Sequence, residues 1–170
     1  MILAEIFLEA GSRVLMPKVF ERDVATLLSA KNGLTYLTVN DWTLVADKAV
    51  RVQFKKGDAL VKKGKPSNGV YFLIKGTAKV QLGSQAVART IGPGEICGEM
   101  SFLEDMPASA NVQADDNVEA YHLDRPTLQG LFELFPHLGS RFYRSLATNL
   151  SRRLRDVIGS ESEAAPVKPK

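Results

Sequence analysis

The residue types that could do chemistry are concentrated in two neighbouring stretches. The first is Pro93-Gly94-Glu95-Ile96-Cys97-Gly98-Glu99-Met100-Ser101-Phe102-Leu103, and the second is Pro107-Ala108-Ser109-Ala110-Asn111-Val112. A glycine-punctuated turn running into a short helix can offer backbone N–H groups to a phosphate. Gly98, Glu99, Met100, Ser101, Ala108, Ser109 and Asn111, drawn from these two stretches, are the candidate ligand-binding residues. A phosphate is held best by a cation as well, and here the local supply fails. No Lys or Arg stands between Arg89 and Arg125, whereas Glu95, Glu99, Glu104, Asp105, Asp115, Asp116, Glu119 and Asp124 do. Eight carboxylates without a neighbouring cation predict a weak hold on any anion.

Other chemistries find no residues to carry them. The sequence has no nucleophile-elbow pattern and no Gly-Lys-Ser/Thr phosphate loop, and His122 and His137 are not spaced as a metal-binding pair. Catalysis is not expected, and no metal or other cofactor is expected. A single cysteine, Cys97, rules out an internal disulfide and a Cys-rich zinc or iron-sulfur site. It reads as a small buried thiol. His122 reads as a strand histidine, and the acidic residues as a solvated surface.

The 170 residues are 45% hydrophobic and 24% charged, an ordinary balance for a globular chain with one main core. No apolar run approaches the ~18 residues of a membrane span, and an acid follows the opening Met1-Ile2-Leu3-Ala4, so a cytoplasmic location is expected. The net charge is +3. Basic residues gather at Lys48, Arg51, Lys55, Lys56, Lys62, Lys63 and Lys65, and again at Arg141, Arg144, Arg152, Arg153 and Arg155. Such clusters attract polyanions. No aromatic residues interleave with them, so they read as solvated outer faces.

The elements that must position the two stretches follow from punctuation and period. Glycines at 57, 64, 69, 76, 83, 92, 94 and 98 separate short β-branched and aromatic segments at 50–54, 59–61, 70–74, 77–82 and 86–91. Alternation adds strands at 110–114 and 118–123, giving an antiparallel roll over about 50–124. Asn40 or Asp41 is expected to cap a short helix through Asp47. Asp124 should cap another that opens on Pro126 and presents Leu128, Leu131, Phe132, Leu134 and Phe135, with Pro136 as its break. A third helix is predicted over about 137–158. Residues 1–37 read as a helical or irregular extension packed on the roll, and 159–170 as a disordered tail too poor in apolar residues to fold.

Gly57-Asp58, Val70-Tyr71-Phe72-Leu73-Ile74-Lys75-Gly76, Gly92-Pro93-Gly94-Glu95, Gly98-Glu99-Met100-Ser101-Phe102-Leu103 and Pro107 together resemble the cyclic nucleotide-binding domains of catabolite-activator proteins and protein kinase regulatory subunits. The resemblance covers about 38–158. It implies a mainly β fold with flanking helices, an eight-stranded double-stranded β-helix, or jelly roll. It also implies that the residue at Glu99 accepts from a ribose 2′-hydroxyl, and that backbone near Gly98 and Met100 approaches the sugar-phosphate. The family places a phosphate-gripping Arg after the proline that corresponds to Pro107, where this chain has Ala108, and a Thr or Ser at Asn111. The helix-end register sets Val157 and Ile158 toward the base, with Ser151 and Asn149 as alternatives.

On the last helix Tyr143, Ala147, Leu150, Leu154 and Val157 recur at spacings of 4, 3, 4 and 3, the seam of a partner helix. Phe142 and Leu146 fall on an adjacent face suited to the roll. The expected function is a regulatory, sensory or scaffold module with a degenerate cyclic nucleotide site, binding cAMP or cGMP weakly or not at all. A homodimer through the last helix and an unidentified protein partner are its expected associations. The alternative is a cyclic nucleotide receptor that uses backbone amides, Glu99 and a basic residue from elsewhere, such as Arg89 or Arg51. A transcription regulator would need a DNA-binding domain after the long helix, and 159–170 does not supply one.

Overall fold

The computed structural model describes residues 18–82 and 87–163. Helices α1 (Lys18–Ser29) and α2 (Val39–Lys48) lead into strands β1 (Val50–Phe54), β2 (Ala59–Val61), β3 (Gly69–Lys75), β4 (Ala78–Gln81), β5 (Val87–Ile91) and β6 (Ile96–Cys97). Helix α3 (Glu99–Glu104) follows, then β7 (Asn111–Ala114), β8 (Val118–Asp124), α4 (Arg125–Leu134) and α5 (Pro136–Glu163). All seven predicted strands lie within one residue of their expected limits; β6, only two residues long, was not foreseen.

The strands form two antiparallel four-stranded sheets, ordered β1-β8-β3-β6 and β2-β7-β4-β5, whose faces enclose a jelly roll. The run Val70-Tyr71-Phe72-Leu73-Ile74 is apolar without alternation because its sheet is covered on both faces. Val70, Phe72 and Ile74 join the helices and Tyr121 and Leu123 in one cluster. Leu73 faces the roll interior with Ala78, Ile91, Val112, Val118 and Ala120. Trp42, fully buried from α2, meets the edge of Phe72 with ring centroids 5.1 Å apart. Burying side chains of this size contributes about 1.5–3 kcal/mol each.

The helix caps partly differ from the sequence expectation. Thr38, not Asn40 or Asp41, caps α2, and Asp41 completes a capping box from the third helical position. Buried Asp41 also takes two hydrogen bonds from Arg141 at 2.7 and 2.6 Å, which ties α2 to α5. Asp124 caps α4 as expected. The apolar face of α4 is narrower than predicted: Leu128 and Leu131 are buried, but Leu134 and Phe135 are exposed. Leu134 lies about 240° round the helix from Leu128.

Within the predicted N-terminal extension, α1 buries Val24 and Leu27 and is fixed to the roll by polar bonds as well. Its Asp23 accepts from the Tyr121 hydroxyl and from Arg51, both at 2.7 Å. Gly94, at φ +83°, lies so close beneath α1 that a Cβ there would stand 2.3 Å from the Ala30 Cβ. Helix α5 continues through Ser160–Glu163, which had been expected to begin the tail. Residues 1–17 and 164–170, which carry the rest of the extension and tail expectations, lie outside the described residues.

Candidate ligand cavity

Gly98 makes the site possible. It turns the chain from β6 into α3 in the left-handed region, φ +85°, and a Cβ would stand 2.8 Å from the Gly69 carbonyl oxygen. No side chain caps α3, so its first-turn N–H groups have no side-chain acceptor. Asp105, also left-handed at φ 54°, ends the helix before Pro107. The chain then returns through Ala108, whose backbone bonds to Lys65 and Gly64, and enters β7.

These turns and the inner faces of both sheets enclose a cavity of about 400 Å³. Gly98, Glu99, Met100, Ser101, Ala108 and Ser109, six of the seven candidate ligand-binding residues, line it. Most of the wall is apolar, with Val61, Val80, Ile91, Ile96 and Val112 from the strands. Ser109 reaches only the Met100 sulfur, at 3.7 Å. Asn111 does not belong to the site. Two-residue alternation sends Ala110 and Val112 inward and Asn111 outward, where its Oδ1 accepts the Lys63 N–H at 2.8 Å.

The charges depart most from the sequence expectation. Arg153 of α5 binds Glu99 at 2.5 Å, and Arg89 of β5 binds Glu95 at 2.7 Å. Both arginines line the cavity. Burial, then the charge of Arg153, pushes the Arg89 guanidinium below its ordinary value. Five other carboxylates that lacked a local cation find partners, four of them at a distance and Asp124 as a helix cap. Asp105 pairs with Arg125, Asp115 with Lys79 and Glu119 with Arg51, while Asp116 accepts from the Thr77 N–H and Asp124 from that of Thr127. Of the two basic residues expected from elsewhere, Arg89 reaches the cavity, whereas Arg51 is held by Asp23 and Glu119 away from it.

Arg153 and Asp156 are the residues of α5 along the cavity, in place of the expected Val157 and Ile158. Ile158 is exposed, and the Val157 side chain lies outside the described ones. Of the alternatives, Ser151 is exposed, and Asn149 is buried with its Nδ2 on the Asn32 and Gly33 carbonyls. The missed signal lies in the helix period. Phe142, Leu146 and Asn149 are spaced 4 and 3 along the buried face, and Arg153 is the next step of 4.

Along the other stripe of α5, Tyr143, Ala147 and Leu154 are exposed and Leu150 is half-buried. Cys97 is buried in the cavity wall. Burial, then the Glu99 charge, pushes its thiol far above the ordinary range and keeps it protonated. His122 packs on Tyr71 with centroids 4.6 Å apart, and burial lowers its pKa. No group of three or more potential metal ligands occurs among the described residues, and no described helix is long and apolar enough to cross a membrane.

Comparison with known proteins agrees with this geometry. Residues 51–134 match the family model described as cyclic nucleotide-binding domain. Cyclic GMP-binding protein C of Dictyostelium discoideum is 29% identical over 130 residues, 74% of this chain and 5% of that protein. The chain spans between 5% and 51% of the length of the curated relatives it matches. A crystal structure of a cyclic nucleotide-binding domain from Methylobacillus flagellatus superposes with a TM-score of 0.74 at 20% identity, covering 90% of this chain and 88% of that one. The regulatory subunit of a cAMP-independent protein kinase A from Trypanosoma cruzi, bound to guanosine, superposes with a TM-score of 0.59 at 25% identity, over 73% of this chain and 44% of that chain. In motif and sheet order, residues 51–134 of the chain form a domain of the cyclic nucleotide-binding superfamily.

Proposed function

We propose that the chain is a regulatory module whose cavity has lost its grip on a cyclic phosphate and whose state is read through α5. One observation carries this reading. Each described arginine along the cavity is already paired with a glutamate, Arg89 with Glu95 and Arg153 with Glu99, so no free cation among the described residues faces a phosphate. Ala108 presents a methyl where the family resemblance implies a phosphate-gripping Arg. Taking ~3–4 kcal/mol for such a charge-assisted contact, its loss weakens binding roughly 100- to 1000-fold. A phosphate-free occupant fits this arrangement better, and the guanosine held by the Trypanosoma cruzi relative supports that class of ligand.

The same ion pair supplies the means of regulation. Arg153 joins the cassette to the far half of α5, while Phe142 and Leu146 hold the near half in the core. A ligand that takes the Glu99 carboxylate releases Arg153 and, with it, the far half of the helix. The apolar stripe of Tyr143, Ala147, Leu150 and Leu154 then serves as the surface for a second copy or another partner. The test is calorimetry of the whole chain against cAMP and cGMP. No saturable binding is expected at submillimolar nucleotide, and Ala108→Arg is expected to create it. A low-micromolar dissociation constant in the unaltered chain would overturn the proposal.

The presence of two arginines along the cavity favours a second reading, a receptor in which Arg153 leaves Glu99 for the ligand's phosphate. Under it, a cyclic nucleotide raises the melting temperature, and both Glu99→Ala and Arg153→Ala abolish the rise. No rise with either nucleotide excludes it.

A further inference from the structure

The outer face of the β2-β7-β4-β5 sheet carries a separate hollow of about 390 Å³, lined by Lys62, Lys63, Lys65, Gln81, Asn111 and Gln113. Among the described residues it shares no lining residue with the ligand cavity, and no Asp or Glu lines it. The lysines sit on a braced turn. The Lys65 N–H donates to the Lys62 carbonyl at 3.1 Å, and the Gly64 N–H to that of Ala108 at 2.8 Å; the Lys63 N–H donates to Asn111 Oδ1 at 2.8 Å. Since Asn111 Oδ1 is engaged, its Nδ2 is left as a donor. Lys63 Nζ spends one N–H on the Leu82 carbonyl and retains two.

Gln113 extends this basic region. Its Nε2 donates to the Gly57 carbonyl at 2.8 Å, which places the turn carrying Lys55 and Lys56 at the border of the hollow. None of Lys55, Lys56, Lys62, Lys63 and Lys65 forms an ion pair among the described residues. The nearby acids are engaged elsewhere: Asp58 accepts the Lys55 N–H, and Asp115 holds Lys79. Ammonium groups around amide donors, with no acid lining the hollow among the described residues, make a locally positive field.

We propose that this hollow binds a compact anion carrying two or more phosphate groups. Its volume falls in the range of small-ligand sites, about 300–1000 Å³. No aromatic side chain among the described residues lines it, so a single strand of nucleic acid finds no stacking platform there. Ammonium and amide donors together match several phosphate oxygens at once. This assignment is independent of what the ligand cavity holds.

The test is titration of the whole chain with inorganic tripolyphosphate at low ionic strength, read by calorimetry and by amide NMR shifts. The expected result is saturable one-to-one binding, with shifts confined to Lys62–Lys65, Gln81 and Asn111–Gln113. Lys62→Gln with Lys65→Gln should weaken it about tenfold or more. Lys31→Gln with Lys75→Gln, which removes the same charge elsewhere, should change it less than about twofold. Absence of saturation, equal weakening by the two pairs, or loss of binding in Arg153→Met would overturn the assignment. Phosphatidylcholine vesicles containing a phosphorylated inositol lipid distinguish the sources. Vesicle capture that tripolyphosphate competes away supports a headgroup, and tripolyphosphate binding without capture supports a free ligand. Vesicle or oligonucleotide binding that tripolyphosphate leaves untouched would overturn the proposal.

Discussion

Replacing Arg153 by Met removes the cation that answers Glu99 while keeping most of the side chain's apolar length. The Glu99 side chain is 7% exposed and that of Arg153 28%, so the pair is partly sheltered from water. Breaking a fully buried pair by removing one partner costs about 3–5 kcal/mol, and exposed pairs contribute about 0–1 kcal/mol. With one partner buried and the other a quarter exposed, about 2 kcal/mol is expected. For a domain of this size that is a fall of roughly 4–8 °C in melting temperature. Urea denaturation should show a lower midpoint at unchanged slope, because the unfolded surface is unaltered. The partner substitution Glu99→Gln completes a double-mutant cycle. If the cost of Arg153→Met is that of a stranded carboxylate, the double variant should recover most of it, a coupling of at least ~1 kcal/mol. An Arg153→Met variant within ~0.5 kcal/mol of the unaltered chain, or strictly additive single effects, would refute the claim that this pair fastens α5 to the cassette.

Three further outcomes are expected. Burial works to raise the Asp41 pKa, but the bonds from Arg141 and Thr38 outweigh it and hold the carboxyl below its ordinary 3.8. A depressed folded value gives stability that is present above 3.8 and lost as pH falls through the folded value, so the deficit of Asp41→Asn in urea melts should be constant near neutrality and shrink below about pH 4. Gly94→Ala forces a Cβ against Ala30 at a positive φ and should cost about 2–3 kcal/mol, with faster hydrogen exchange concentrated in α1. If the α5 stripe pairs two copies as proposed, light scattering should show a dimer that Leu154→Glu converts to a monomer, with the melting temperature of the monomer changed by less than ~1 °C, since Leu154 is 60% exposed.

The roll was legible because its strands obey local rules. Glycine punctuation and β-branched runs marked β1 to β5, two-residue alternation marked β7 and β8, and the cassette motif placed Gly98 and Glu99 at the turn that the structure builds. Strand β6 escaped because two residues between glycines carry no period to detect. Asn111 entered the candidate set as the position where the family resemblance implies a Thr or Ser, although alternation alone sends its side chain outward. The largest gap was electrostatic. Local sequence left the acids of the cassette unanswered, but Arg153 reaches Glu99 across 54 positions and Arg51 reaches Glu119 across 68. Charge balance in a roll is set by which strands and helices meet, and that pairing is not visible in any window of the sequence.

Cys97 turns the cavity into something that can be timed. It is the chain's single cysteine, it stands in the same wall as Glu99, and burial keeps its thiol protonated and sluggish. A small disulfide reagent therefore reacts only in the instants when the wall is uncovered, and the labelling half-life becomes a clock for that uncovering. The molecule carries its own chemical stopwatch for the opening of that wall, one that runs whatever the cavity holds.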